Sequence, residues 1–130
     1  MAYILVVEQD RPFAEALAWT LRSEGHDVCV AEGAKEAIQL GLTHYPDVVI
    51  ADWTLHGDMH GGKVCRRIRA ACPPVKTIIM TGYPGAASEA RRWCEHVEAV
   101  VEKPFHKEKI VEIVNQALSG TPCEPGHSLV

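Results

Sequence analysis

Four apolar runs in this chain each end on polar side chains that suit a phosphate-binding site. In chain order, the residues that follow these runs are Glu8-Gln9-Asp10, Asp52, Thr81 and Lys103-Pro104. If the runs are parallel strands, their carboxyl ends lie along one edge of the sheet, which is where open α/β folds bind ligands. The sequence therefore predicts a site at which acidic groups, a hydroxyl and an amine meet.

The spacing of apolar residues predicts the elements that would position this site. Short β-branched runs alternate with segments of helical period, a pattern that is typical of βαβ units and a parallel sheet. The predicted strands are 3–7, 28–30, 48–52, 77–81 and 100–102. Asp10 can cap the first helix, with Pro12 in its first turn, and Gly25 ends that helix. We therefore expect one α/β domain with five strand–helix pairs.

The helical period also predicts which side chains face the core. Among the residues expected to pack inside are Trp19, Leu42, Cys65, Cys72, Trp93 and Leu118. The fourth helix has a Gly-rich entry and small side chains, so we expect it to be weakly packed and mobile. The last helix has the clearest amphipathic pattern, with apolar residues recurring from Ile110 onwards.

Composition limits the classes of function. The 13 Lys and Arg residues are scattered and the formal net charge is -4, so direct nucleic-acid binding is not expected. No apolar run approaches the roughly 20 residues that span a bilayer, so no membrane partner is expected. The five cysteines form no CxxC pair and no leader is recognised, which favours a reduced, cytoplasmic protein. We expect a domain over 1–119 and a flexible tail over 120–130.

Four segments, taken in order, resemble the response-regulator receiver domains of two-component signal transduction, of the chemotaxis-regulator type. The segments are 4–10, 47–52, 78–83 and 101–105, which read ILVVEQD, DVVIAD, IIMTGY and VEKPF. The resemblance covers residues 3–118. It implies a single doubly wound, five-stranded parallel sheet of the flavodoxin-like (βα)5 type, with strand order 2-1-3-4-5.

By this resemblance, Asp52 accepts a phosphoryl group from a sensor histidine kinase or a phosphotransfer protein. A carboxylate and a phosphoryl group repel each other, so the transfer requires a divalent cation such as Mg²⁺. The implied metal ligands are Glu8, Gln9, Asp52 and the main-chain carbonyl of Thr54. A downstream effector protein would then read the resulting change in surface shape.

The resemblance also assigns roles to the other residues at the predicted edge. Thr81 and Lys103 match the family's donors to phosphate oxygens, and the bond between Lys103 and Pro104 is usually cis in the family. Thr54 and Tyr83 match positions that control the attacking water in dephosphorylation. Such a domain catalyses its own phosphorylation and dephosphorylation and is not a turnover enzyme.

Three features of the chain differ from the family pattern. Gln9 stands where the family has a second acid, so Mg²⁺ affinity is expected to be weakened. Val100 stands where the family has an aromatic residue that moves on phosphorylation. The loop 53–62 has His56 where proline is common, and one extra residue before its glycines.

Other functions fit parts of the pattern. The main alternative is a degenerate receiver that binds a protein partner without phosphorylation, because Gln9 replaces a metal-binding acid. A phosphohydrolase would carry Asp-x-Asp where this chain has Asp52-Trp53-Thr54, and no GxGxxG or GxxxxGK[ST] loop follows the first run. His56, Asp58 and His60 have side chains that bind transition metals, but alternating polar residues in a Gly-rich loop also fit exposure to water.

Overall fold

A computed structural model describes residues 2–55, 59–83, 85–93 and 96–120 of the chain. The strands are β1 (Tyr3–Val7), β2 (Asp27–Ala31), β3 (Val48–Asp52), β4 (Lys76–Thr81) and β5 (Ala99–Glu102). The helices are α1 (Arg11–Ser23), α2 (Ala34–His44), α3 (Gly61–Ala71), α4 (Ala86–Trp93) and α5 (Lys107–Leu118). Each strand is followed by a helix, as the alternation of periods predicts.

The five strands form one parallel sheet in the order β2-β1-β3-β4-β5. Successive side chains on a strand point to opposite faces of the sheet, so each strand contributes residues to two separate apolar clusters. Leu5 and Val49 pack on the face covered by α2, α3 and α4, whereas Val6 and Ile50 pack on the face covered by α1 and α5. The predicted doubly wound (βα)5 sheet is confirmed.

The beginning of α1 is fixed by a side-chain cap. An Asp10 carboxylate oxygen accepts a hydrogen bond from the backbone N–H of Phe13 at 3.2 Å, and Pro12 lies in the first turn. Gly25 follows the helix with a φ of 93°, a conformation that glycine adopts without steric cost. The predicted start and end of this helix are confirmed, and the cap fixes where Phe13 enters the fold.

Four of the residues expected to pack inside are exposed, and the prediction was wrong for each. The exposed fractions of Trp19, Leu42, Trp93 and Leu118 are 72%, 40%, 37% and 37%. Trp19, Leu42 and Leu118 each follow a buried small residue, and one residue along an α-helix turns the side chain by about 100°. For Leu42 that neighbour is Gly41, against which the Ile68 side chain packs so closely that a Cβ would lie 2.7 Å away.

No helix in the described ranges is long and apolar enough to cross a membrane. Of the predicted tail, residues 121–130 lie outside the described residues. Cys65 lies within α3 and Cys72 directly follows it, and both were expected to pack inside. Cys65 is buried and Cys72 packs against the same apolar cluster, so this prediction is confirmed.

Candidate functional site

The polar residues that follow the strands meet at the carboxyl edge of the sheet. Asp52 and Thr81 are the last residues of β3 and β4, while Glu8 and Lys103 directly follow β1 and β5. Glu8, Asp52 and Thr81 are 1%, 8% and 1% exposed. Ionisable side chains are seldom buried to this extent unless they are paired, which makes this edge the candidate functional site.

Lys103 joins the two buried carboxylates. Its Nζ donates a hydrogen bond to Glu8 Oε1 and lies 3.3 Å from Asp52 Oδ1. The second oxygen of Glu8 accepts the backbone N–H of Asp10 at 3.1 Å, so the Glu8 carboxylate is held at both oxygens. Lys103 is 95 residues from Glu8 in the chain, and the two residues meet because the strands before them belong to the same parallel sheet.

The environment of Asp52 opposes its negative charge. Burial raises the pKa of the Asp52 carboxyl above its ordinary value, the neighbouring charge of Glu8 raises it further, and Lys103 acts in the opposite direction. A deprotonated Asp52 at neutral pH therefore favours an additional positive charge beside it. A carboxyl with a raised pKa beside a second carboxylate and an amine is a feature that often occurs at functional sites.

Thr81 lies on this edge with its hydroxyl held by the backbone that follows it. Thr81 Oγ1 accepts the N–H of Tyr83 at 3.1 Å, and Tyr83 itself is 60% exposed. Thr54, two residues past Asp52, is also exposed. This edge of the sheet therefore combines the buried carboxylates of Glu8 and Asp52 with the exposed side chains of Thr54 and Tyr83 on the two flanking loops.

The peptide bond between Lys103 and Pro104 is cis, as the resemblance implies. Next to it, the ring of Phe13 lies under the Lys103 ammonium, with Nζ 4.4 Å from the ring centroid. Phe105 meets Phe13 edge to face at 5.7 Å. In the sequence, Phe13 is recognisable only as an apolar residue on the same predicted helix face as Leu17 and Leu21, and no residue spacing signals its contact with a lysine 90 positions away.

The chain closes tightly against the backbone of Asp52. Trp53 donates its N–H to the carbonyl of Met80 at 2.7 Å, and its own carbonyl accepts the N–H of Gly61 at 3.0 Å. A Cβ at Gly61 would lie 2.1 Å from the carbonyl oxygen of Asp52. The start of α3 is therefore pressed onto the end of β3, and only glycine fits this approach.

His60 packs between two tryptophan rings and caps the beginning of α3. Its ring stacks on Trp53 at a centroid distance of 4.3 Å and meets Trp93 edge to face at 4.4 Å. Its Nδ1 accepts the N–H of Lys63 at 3.2 Å and so caps α3. Its position just before a pair of glycines at a helix start was the available sequence signal. The expectation of a water-facing side chain was wrong.

The transition-metal hypothesis gains no support from the described residues. His56 and Asp58 lie outside them, and within them no group of three His, Cys, Asp or Glu side chains could hold a metal ion. Glu8 and Asp52 form a pair of carboxylates, not such a group. A cation at this edge would need main-chain, amide or water oxygens in addition to this pair.

Acidification should weaken the fold through His60. Burial lowers its pKa below the ordinary 6.5, with Lys63 acting in the same direction and Glu89 against it. The unfolded chain then binds the proton more readily than the native protein, so the free energy of unfolding falls as pH drops from about 7 to about 5. Urea unfolding at several pH values measures this.

Two variants make the His60 test specific. His60→Asn keeps a capping side chain but cannot titrate, so its stability should fall less over the same pH range. His96→Asn changes an exposed histidine and should behave like the wild type. Equal losses in all three proteins would show that His60 does not contribute to the pH dependence.

Solved structures share this arrangement of strands and helices. A CheY-like response regulator receiver domain protein from Methanospirillum hungatei JF-1 is similar with a TM-score of 0.84 and 23% identity, over 92% of this chain and 94% of that one. NtrX from Brucella abortus is similar with a TM-score of 0.82 and 26% identity, over 91% of this chain and 27% of that one. The fold is that of CheY-like receiver domains.

Sequence comparison identifies the family. The model of the response regulator receiver domain family matches residues 4–115, and the chain therefore belongs to this family. The cell cycle response regulator CtrA of Brucella ovis is 28% identical over 108 residues, which is 83% of this chain and 46% of that protein. The chain thus spans about half the length of the curated relatives it matches.

Proposed function

We propose that this receiver domain accepts a phosphoryl group on Asp52 from a histidine kinase or phosphotransfer protein, with Mg²⁺ as cofactor. The observation that carries the proposal is the buried Asp52 carboxylate at the end of β3, beside Glu8 and 3.3 Å from Lys103 Nζ. A buried acid paired with an amine at a ligand-binding edge fits phosphoryl transfer better than a structural ion pair.

The residues of the site have separable roles in this transfer. An oxygen of Asp52 attacks phosphorus, the bond from phosphorus to the donor histidine nitrogen breaks, and the imidazole leaves with the bonding electron pair. Lys103 and the Thr81 hydroxyl donate hydrogen bonds to the oxygens of the transferred group, where charge develops. To do so, Thr81 gives up the long hydrogen bond that its hydroxyl donates to the Tyr83 carbonyl at 3.5 Å, and it can still accept the N–H of Tyr83.

The oxygen donors at this edge fit Mg²⁺. Glu8 and Asp52 provide two carboxylates, and the resemblance adds the side-chain oxygen of Gln9 and the main-chain carbonyl of Thr54. Mg²⁺ is commonly held by one or two carboxylates together with water and phosphate oxygens. When bound, the ion would supply positive charge that offsets the repulsion between carboxylate and phosphoryl group. The neutral Gln9 should weaken this affinity.

The central test is the mass of the intact protein after incubation with a small phosphodonor and Mg²⁺. The wild type should gain one phosphoryl group, and Asp52→Asn should gain none, because an amide oxygen is a poor nucleophile. Asp47→Asn, in an exposed residue at the other end of β3, is the matched control and should be modified like the wild type. An adduct on Asp52→Asn would remove Asp52 from its proposed role.

Thr54 and Tyr83 are proposed to limit the access of water to the phosphorylated Asp52. Both are exposed on the loops that flank the site, so replacing both by alanine should open the edge and speed loss of the phosphoryl group several-fold. The decay of the adduct by intact mass measures this rate. Thr43→Ala, on the exposed surface of α2, is the control, and equal decay in all proteins would refute the role.

The proposed activity is limited to the domain's own phosphorylation and dephosphorylation, so turnover of free substrates is not expected. The proposed setting is the cytoplasm, with a kinase or phosphotransfer protein as donor and an effector protein as reader of the phosphorylated surface. No direct nucleic-acid or membrane partner is proposed for this domain, because its 13 Lys and Arg residues are scattered and the net charge is -4.

A second candidate is a degenerate receiver that binds its partner without phosphorylation. The observation that favours it is the ion pair of Glu8 with Lys103, because the ammonium already neutralises a carboxylate that the cation needs, and Gln9 adds no charge. A partner that binds wild type and Asp52→Asn equally, with and without phosphodonor, would support this candidate over the first.

A further inference from the structure

We propose that Phe13 is a positioning residue for phosphoryl transfer, which holds the Lys103 ammonium beside Asp52 through the face of its ring. This proposal rests on the proposed function. Lys103 Nζ lies 4.4 Å from the centroid of the Phe13 ring and 3.3 Å from Asp52 Oδ1. A cation within about 6 Å of a ring face is attracted by its quadrupole.

The ring differs from the other partners of the ammonium in one respect. Glu8 and Asp52 are charged and have second tasks at this site, because both are proposed cation ligands and Asp52 is the proposed acceptor. Phe13 is neutral and has no competing task. When Glu8 and Asp52 engage a cation or a phosphoryl group, the ring still attracts the ammonium and keeps it close to the developing charge.

Phe13 is itself held in place by two separate contacts. Its N–H is bound by the capping carboxylate of Asp10 at 3.2 Å, which sets the first turn of α1. Its ring meets Phe105 edge to face, with centroids 5.7 Å apart and planes at 82°. Phe105 is two residues past Lys103, so the aromatic pair joins α1 to the segment that carries the lysine. The ring can therefore hold the ammonium in one place.

Two variants at Phe13 distinguish the effect of the aromatic ring face from the effect of side-chain volume. Phe13→Leu keeps an apolar side chain but removes the ring face, and it should slow phosphoryl uptake about two- to fivefold, the size of a partly exposed cation–ring contact. Phe13→Tyr keeps the face and should remain within about twofold of the wild type. A Phe13→Leu protein as fast as the wild type would overturn the proposal.

Fluorinated phenylalanines at position 13 test the electrostatic basis at nearly constant shape. Each added fluorine weakens the negative potential of the ring face, so the rate of phosphoryl uptake should fall stepwise from one to five fluorines. The same series at Phe105 is the matched control, because Phe105 touches Phe13 but carries no cation over its ring among the described contacts. Equal declines at both positions would overturn the positioning role.

The contact can also be measured without any phosphoryl transfer. Protons above an aromatic ring are shielded, so the ε-methylene protons of Lys103 should resonate upfield in the unphosphorylated wild type and return to ordinary values in Phe13→Leu. An unshifted signal in the wild type would overturn the contact. A rate of phosphoryl uptake that does not change with fluorination of Phe13 would overturn the positioning role alone. If the wild type takes up no phosphoryl group, the proposed function is overturned and the positioning role with it.

Discussion

Gly61→Ala should lower the free energy of unfolding by about 3 kcal/mol, the upper end of what an extra methyl costs in a closely packed position. A Cβ at this position would lie 2.1 Å from the carbonyl oxygen and 2.9 Å from the carbonyl carbon of Asp52. Both atoms belong to the backbone of β3, which is paired on both sides with β1 and β4. The strand cannot yield, so the beginning of α3 must move.

Urea unfolding measures this loss, and Gly82→Ala is the matched control. Gly82 also follows a strand at the same edge of the sheet, but a Cβ there would have no atom within 4 Å, so its cost should stay within about 0.5 kcal/mol. Gly61→Ala should also take up phosphate more slowly than Gly82→Ala, because the displaced beginning of α3 is hydrogen-bonded to Trp53, the residue next to Asp52. Equal stability of the two variants would contradict the close approach.

Gln9→Asp should bind Mg²⁺ at least about tenfold more tightly than the wild type, which corresponds to about 1.4 kcal/mol. The change adds a carboxylate directly after Glu8 in the chain, and the affinity of oxygen-ligand sites rises with the number of charged ligands. In the absence of metal the same change should lower stability, because burial and Glu8 already raise the pKa of Asp52 and a further negative charge adds repulsion.

A Mg²⁺ titration followed by NMR or calorimetry gives the affinity, with Gln9→Asn as the matched control. Asparagine keeps a neutral amide, so this variant should bind no more tightly than the wild type. Equal affinity of the Asp and Asn variants would show that position 9 does not face the cation. Phosphoryl uptake by Gln9→Asp but not by the wild type would favour the phosphorylation-independent binding module.

The strands could be predicted from the sequence because their signal is local. The run at 48–52 matches β3 at both ends, and the predicted strand at 77–81 differs from β4 by one residue. Strand ends fix the edge of the sheet, so Glu8, Asp52 and Lys103 were expected to meet, and they do. Their positions follow from the chain alone once the strands are parallel.

The contacts between side chains of different elements could not be predicted in the same way. Periodicity indicates that a helix has an apolar face, but whether Trp19 or Ala18 lies on that face depends on how α1 is rotated against the sheet. The ring of Phe13 under Lys103, and the stack of His60 on Trp53, arise from packing between distant segments. No spacing in the sequence encodes such contacts.

The three tryptophans lie in environments so different that they give the protein distinct optical reporters. Trp19 is 72% exposed on α1, Trp53 is 8% exposed beside Asp52, and Trp93 is 37% exposed at the end of α4. An indole in water emits at longer wavelength than a buried one, so the ultraviolet emission should contain a solvent component and an internal component. With Trp19→Phe, the remaining fluorescence would come from the two indoles that contact His60. The loop beside Asp52 and the end of α4 could then be followed in real time without an added dye.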